Sequence, residues 1–160
     1  MKNYLRPLAL ACVLVSAASS ASAAIFMFIP GVPGSSVDAN HPNWIDLSSF
    51  QVGVANRVCS GVTVSKQIDS STPVLSTSAL FGSVYPSMTL DFTSGSAGRS
   101  YLTYVLNNVT VTGLSQSTGG DLISESVSLF PASITVTYKT QQADGSAGTP
   151  VIYSLSCVRK

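Results

Sequence analysis

One histidine, seven carboxylates and an abundance of serine are the residues of this 160-residue chain that could do chemistry. His41 stands near Asp38 and Asp46, a spacing that invites a Ser/His/Asp nucleophile system. Serines are everywhere, however, and no Gly-x-Ser-x-Gly elbow exists to expose one of them as a nucleophile, so His41 reads better as a loop anchor than as a base. Glu125, the only glutamate, follows Asp121 by four positions. The other acids lie singly at strand ends and turns, so no carboxylate pair for glycoside hydrolysis is apparent. One histidine and widely separated cysteines make no recognisable metal-ligand spacing, and the glycines of "SSTGG"-type stretches do not join a strand to a helix as a phosphate cradle would. No enzyme, cofactor or metal is therefore expected. Asn108-Val109-Thr110 fits a glycosylation sequon, a pattern that short sequences often match by chance.

The first residues set the compartment. Lys2 and Arg6 precede an apolar run from Leu8 to Val15, followed by "ASSASA" with small residues at Ala21 and Ala23. That is the pattern of a secretory signal peptide over residues 1–23 with cleavage between Ala23 and Ala24, and the apolar run is too short to span a bilayer. Residues 24–160 then form one domain, expected in the periplasm or outside the cell and free of the membrane after cleavage. Its side chains carry six basic and seven acidic groups, a net charge of −1, which gives no basic surface for nucleic acid. Cys12 leaves with the signal peptide, and an exported chain with two remaining cysteines, Cys59 and Cys157, invites a disulfide. Chain entropy makes such a bond worth roughly 4 kcal/mol. Parity complicates it: Cys157 shares the apolar phase of Val151, Tyr153 and Leu155, whereas Cys59 is out of phase with Val58, Val62 and Val64. A bulge reconciling the phases, a bond between subunits, and two free thiols all remain open.

The elements that must hold these residues are mostly strands. Runs rich in Val, Ile, Thr, Tyr and Phe, bounded by Gly, Ser, Asn and Pro, alternate with period two at about 25–29, 44–54, 57–68, 87–93, 100–114, 122–130, 132–139 and 150–158. Parity changes at Ser48-Ser49 and at Asn107-Asn108 predict bulges that bend long strands around a closing barrel. One helix of about ten residues is expected, with Thr72 as N-cap, Pro73 in the first turn, an apolar stripe of Val74, Leu75, Ala79 and Leu80, and Gly82 as its stop.

The order of these features resembles a known family. "G-x-x-G-x-S-x-D-x-x-H" at 31–41 leads into "W-I-D-L-x-S-F" at 44–50, and "E-S-V-S-L" at 125–129 and "Y-x-x-Q-x-A-D-G" at 138–145 follow. Together with "SKQID" before the Pro-started helix, the series covers 25–158 and resembles the haemolysin-coregulated protein (Hcp) family, the tube proteins of the type VI secretion system. The resemblance implies a mainly β fold: a bent β-barrel of two antiparallel sheets with one short α-helix at its side. It also implies a structural protein without an active site, a homo-oligomer of six copies in a ring that can stack into a tube, with secreted cargo or effector proteins as partners. The family's extended strand-connecting loop falls around Ala55 to Ser60 and is short here. A cleavable export signal is a departure from a tube subunit that assembles in the cytoplasm, and suggests an Hcp-like domain used outside the injection machine. A different reading is an extracellular β-domain that binds a glycan or surface partner through aromatics such as Tyr101, Tyr104 and Tyr153.

Overall fold

The computed structural model describes residues 23–55, 58–94, 98–119, 122–142 and 146–157. Residues 1–22 of the proposed signal segment, Arg57, Asp121, Asp144 and the last three residues lie outside these. Alternating Val/Ile/Leu/Phe and Ser/Thr positions form eight strands: β1 (Ala24–Phe28), β2 (Ile45–Ala55), β3 (Val58–Gln67), β4 (Val84–Ser94), β5 (Arg99–Thr118), β6 (Ile123–Phe130), β7 (Ser133–Gln141) and β8 (Ala147–Ser156). One helix, α1 (Thr72–Phe81), separates β3 from β4.

All the pairings are antiparallel. They run β4-β1-β2-β3-β6-β5-β7-β8, and β4 also pairs with β5. Six strands therefore close on themselves, which leaves no open edge in that circuit. The expected bent barrel forms, and its two sheets are portions of one continuous ladder. β5 makes this possible by its length: its first half carries β4 on one edge and β7 on the other, and its second half carries β6. Met27, Ile45, Val64, Leu90, Leu106 and Val127 fill the interior, all fully buried. Each such side chain contributes roughly 1.5–3 kcal/mol of transfer free energy.

The bulge expected at Ser48-Ser49 is present, since Leu47 faces Lys66 while Ser49 faces Ser65. The one expected at Asn107-Asn108 is not a bulge. Register is unbroken there on both edges of β5, with Tyr85 opposite Val109 and Ser87 opposite Asn107 on one side, and Thr110 opposite Phe130 and Asn107 opposite Ser133 on the other. Three neighbouring chains bend at one level instead. Asn108 takes a left-handed φ of 48°, Pro86 lies beside it in β4, and the Pro131-Ala132 break separates β6 from β7. The Ala132 N–H donates to the carbonyl oxygens of both Asn107 and Asn108. A bend shared by all partners flips facing without shifting register, which parity within one strand cannot distinguish from a bulge. The one-residue offsets in β5 lie elsewhere, at Tyr101 against β4 and between Val111 and Gly113 against β6.

The helix also departs from its expected boundaries in detail. Pro73 opens it and Gly82, at φ 63°, closes it with an N–H to the Ser78 carbonyl. Its N-cap position is Ser71 rather than Thr72, and the Asp69 carboxylate accepts the Ser71 N–H at 2.9 Å. Thr72 is diverted into a buried polar cluster described below. Of the expected apolar stripe only Leu75 is fully buried, while Val74 and Leu80 are exposed. Buried Ser78 faces inward instead, hydrogen-bonded to the Tyr85 hydroxyl at 2.7 Å.

Cys59 and Cys157 are joined by a disulfide, with Cα atoms 4.8 Å apart. The bulge that brings Cys59 into phase is in β3: Val52 faces Val62 but Val54 faces Cys59, so one extra residue lies on the β3 side. Gly61 absorbs it at a φ of 99°, and a Cβ there would stand 3.1 Å from the Leu129 carbonyl oxygen.

Candidate functional site: two polar anchors and an uncovered hairpin

The long passage from β1 to β2 is held by its own backbone and by His41. Gly34 and Ser36 donate N–H bonds to the Asn43 and Trp44 carbonyls, and Gly34 has no room for a side chain, since a Cβ would fall on the Trp44 carbonyl. The Asp38 carboxylate accepts the N–H groups of Asn40 and His41, which turns the chain and delivers the imidazole inward. Nδ1 of His41 then meets Asp38 at 2.9 Å and Nε2 meets Asp91 of β4 at 2.8 Å. The ring stacks on Phe26 and lies edge-on to Trp44. The His41 hydrogen bond holds the Asp38 carboxyl below the usual carboxylate range. Asp91 further accepts from the Ser100 and Thr103 hydroxyls. A general base needs a free nitrogen facing a nucleophile, and here each nitrogen faces a carboxylate while the nearby serine serves Asp91. Asp46, the other acid suspected from sequence, sits opposite Phe26 with its side chain exposed and is not a partner of His41.

A second polar anchor was not foreseen. Lys66 of β3 pairs in register with Glu125 of β6, and both side chains are buried inside the barrel wall. The ammonium contacts Glu125 at 2.8 Å and Asp69 at 2.7 Å, and donates to the Gln67 carbonyl and the Thr72 hydroxyl. Glu125 also accepts from Thr72 at 2.8 Å and from the Gln116 amide at 2.7 Å. Burial pushes the Glu125 carboxyl up, but the hydrogen bonds from Lys66, Gln116 and Thr72 outweigh it, and the group sits below its ordinary value. This cluster ties the start of α1 to the barrel. Its charges are satisfied by one another, and no group of three or more His, Cys, Asp or Glu that could hold a metal occurs among the described residues.

What the fold leaves uncovered is the β7–β8 hairpin. On its core-side face, Ile134 pairs with Leu155, Val136 with Tyr153, and Tyr138 with Val151. Ile134 is fully buried and Leu155 packs on the core, but the same row runs past the barrel, so that Tyr138, Tyr153 and Val151 are exposed, the last by 56%. Ile152, on the opposite face, is 63% exposed. The expectation that Val151 and Tyr153 share a buried face with Cys157 thus holds only at the Cys157 end. β8 pairs with β7 alone, so its outer edge is open. A second uncovered apolar area lies at the end of α1, where Leu80, Phe81 and Val84 are 77%, 76% and 61% exposed. Of the three tyrosines suited to a ligand platform, Tyr101 and Tyr104 pack against the core, Tyr104 beside Phe50 and Phe92, and only Tyr153 is exposed. Burial, with Tyr153 next to it, raises the Tyr104 hydroxyl above its ordinary value. Among the described residues no helix is long and apolar enough to cross a membrane.

Among the described residues the barrel is closed, its polar clusters are internally satisfied, and what it leaves uncovered is an open edge and bare apolar rows, the makeup of a structural β-domain. The profile of the family described as "Type VI secretion system effector, Hcp" matches residues 26–138, and the chain belongs to that family. It is a structural protein of the type VI tube or effector kind, not an enzyme. Among solved structures, a type six secretion system protein is 21% identical with a TM-score of 0.78, over 84% of this chain and 96% of that one. Hcp1 from Salmonella typhimurium is 22% identical with a TM-score of 0.74, over 84% and 94%. A type VI secretion system effector from Yersinia pestis is 23% identical with a TM-score of 0.73, over 82% and 98%. These likenesses concern the fold. No curated protein sequence shows significant similarity to the chain. Hcp proteins self-associate and are secreted, and the open β7–β8 hairpin is in keeping with the first of these.

Proposed function

We propose that the chain is an exported Hcp-type subunit, released between Ala23 and Ala24, that assembles with copies of itself into closed hexameric rings able to stack or to hold secreted cargo or effector proteins in their lumen. The observation that carries this reading is the apolar row of the β7–β8 hairpin that starts in the core and continues uncovered to Tyr138 and Val151. A partner's apolar surface would extend the core across it, and closed symmetry would consume the open edge of β8 in every copy. The apolar end of α1 is a different surface from the hairpin, as a head-to-tail ring contact requires. Export is supported by the start of the ladder, because β1 begins at Ala24 and cleavage there removes none of its pairs. A periplasmic or extracellular location follows.

The test is the mass of the purified protein by light scattering, alongside the mass of its N-terminus. Six subunits and a first residue of Ala24 are expected. Val151→Lys places a charge on the exposed row without touching the core, and is expected to give a folded monomer. A wild-type protein that stays monomeric at high concentration overturns the assembly reading.

A further inference from the structure

We infer that the Cys59–Cys157 disulfide licenses assembly: oxidation seats the β8 strand, and with it the ring-forming hairpin, so that the subunit becomes assembly-competent only after leaving a reducing compartment. This rests on the assembly reading above and names its regulation. The six strands of the barrel close on themselves without β8, whereas β8 is held by one ladder, to β7. The exposed Val151 and Ile152 contribute little packing to keep it in place, and Tyr153 adds a single side-chain contact to Tyr104 of β5. Its end is fixed where Leu155 packs on the core, where the Cys157 N–H donates to the Ala132 carbonyl at 2.9 Å, and where the disulfide crosses to β3. The bond is thus the one covalent cross-link between the end of β8 and the barrel, which β7 already joins through the backbone from β6 and its ladder to β5. Without it, the strand that carries the open edge is the least anchored in the fold.

The chemistry is thiol–disulfide exchange. A protein or small-molecule disulfide of the oxidising compartment accepts two electrons and two protons from the Cys59 and Cys157 thiols; its S–S bond breaks to two thiols as the Sγ–Sγ bond forms. Both sulfur-bearing residues are buried once the bond exists, Cys59 being 2% and Cys157 7% exposed, so the folded bond is shielded from reductant. The device is therefore a one-way checkpoint, set once, rather than a reversible sensor.

The experiment compares wild-type protein purified under oxidising conditions with Cys157→Ala and with Cys59→Ser/Cys157→Ser, by light scattering and by amide hydrogen exchange resolved to individual strands. The oxidised protein is expected to assemble. Both variants are expected to keep barrel protection in β2, β3 and β6, to lose at least tenfold in protection across β8, and to need at least tenfold more protein to assemble. Variants that assemble at the wild-type concentration overturn the inference and leave the ring reading intact. A uniform fall of protection in every strand also overturns it, because the bond would then stabilise the whole fold and not the hairpin. An oxidised wild-type protein that never assembles removes the ring reading itself, and the licensing role with it.

Discussion

Replacing Lys66 by Met should be among the most damaging single changes in this domain. The substitution keeps the length and apolar stem of the side chain but removes its charge from a site where Glu125 is only 1% exposed. Glu125 retains its bonds to Thr72 and Gln116 and loses its counter-ion. Breaking a buried pair from one side costs about 3–5 kcal/mol, chiefly because an uncompensated charge stays inside. Unfolding entropy of about 2.1 cal/mol/K per residue makes each kcal/mol worth about 3.5 °C for a domain the size of residues 24–160, so Tm should fall by about 10–17 °C. Adding Glu125→Gln removes the more deeply buried of the two orphaned charges, Asp69 being the other, while keeping an acceptor for Thr72, and should restore at least half of the loss. Denaturant unfolding at a fixed protein concentration, followed by the fluorescence of Trp44, the only tryptophan, measures the wild type, both single variants and the double variant. A Lys66→Met loss below about 1 kcal/mol, or a double variant that loses the sum of the two singles, would refute the account of this cluster.

Acid should act through the same group. Glu125 has a folded pKa below its unfolded value, so its contribution is fully present above the ordinary glutamate range near pH 4.3 and is lost as pH falls through the folded value; denaturation midpoints measured from pH 6 to pH 2 should drop in that lower window, and a flat profile would count against it. Gly61→Ala forces a side chain into a left-handed backbone 3.1 Å from the Leu129 carbonyl oxygen and should cost about 1–3 kcal/mol by chemical unfolding, with a neutral result excluding the bulge. His41→Ala removes the stack on Phe26 and the bridge from Asp38 to Asp91, and should cost about 2–3 kcal/mol while shifting Trp44 emission to the red; unchanged emission and midpoint would show that the loop is anchored elsewhere.

Period-two alternation made the strands legible, and the ordered motifs from Gly31 to Gly145 carried the barrel as a whole. The same parity already held the buried ion pair. Lys66 is in phase with Val62 and Val64, and Glu125 with Val127 and Leu129, so both charges belong to inward-facing rows. A charge on an apolar row is the available signal that a partner awaits it on a neighbouring strand. The helix was legible in its ends and not in its face, because Pro73 and Gly82 act locally while the choice between Leu80 and Ser78 as the buried residue is made by β5 and Tyr85. The level bend at Asn108 was hidden for a related reason. Distinguishing it from a bulge requires knowing that Pro86 and Pro131-Ala132 lie beside it, which is information about pairing and not about one strand. Asp91 was missed as the inner partner of His41 because fifty residues separate them, and only the pairing of β4 with β1 brings them together.

The two polar anchors and the disulfide divide the labour of the fold. His41 fastens the β1–β2 passage to β4, and Lys66 fastens the start of α1 to β3 and β6, so the connections that would otherwise loosen the closed circuit are held from within. Neither anchor reaches β7 or β8. β7 is held by its ladder to β5, but β8 is left to its ladder with β7, to Leu155, to Tyr153 beside Tyr104 and to Cys157, and among the described residues it bears the one strand edge that the barrel does not close. A bare apolar row on a weakly held edge strand is an aggregation hazard in a lone subunit. A covalent tether that holds the edge in one geometry turns the hazard into a defined surface, because a fixed strand offers one register to a partner where a fraying one offers many. The cysteine pair therefore does more for the specificity of association than loop-closure entropy alone, about 4–5 kcal/mol for a 98-residue separation, would suggest.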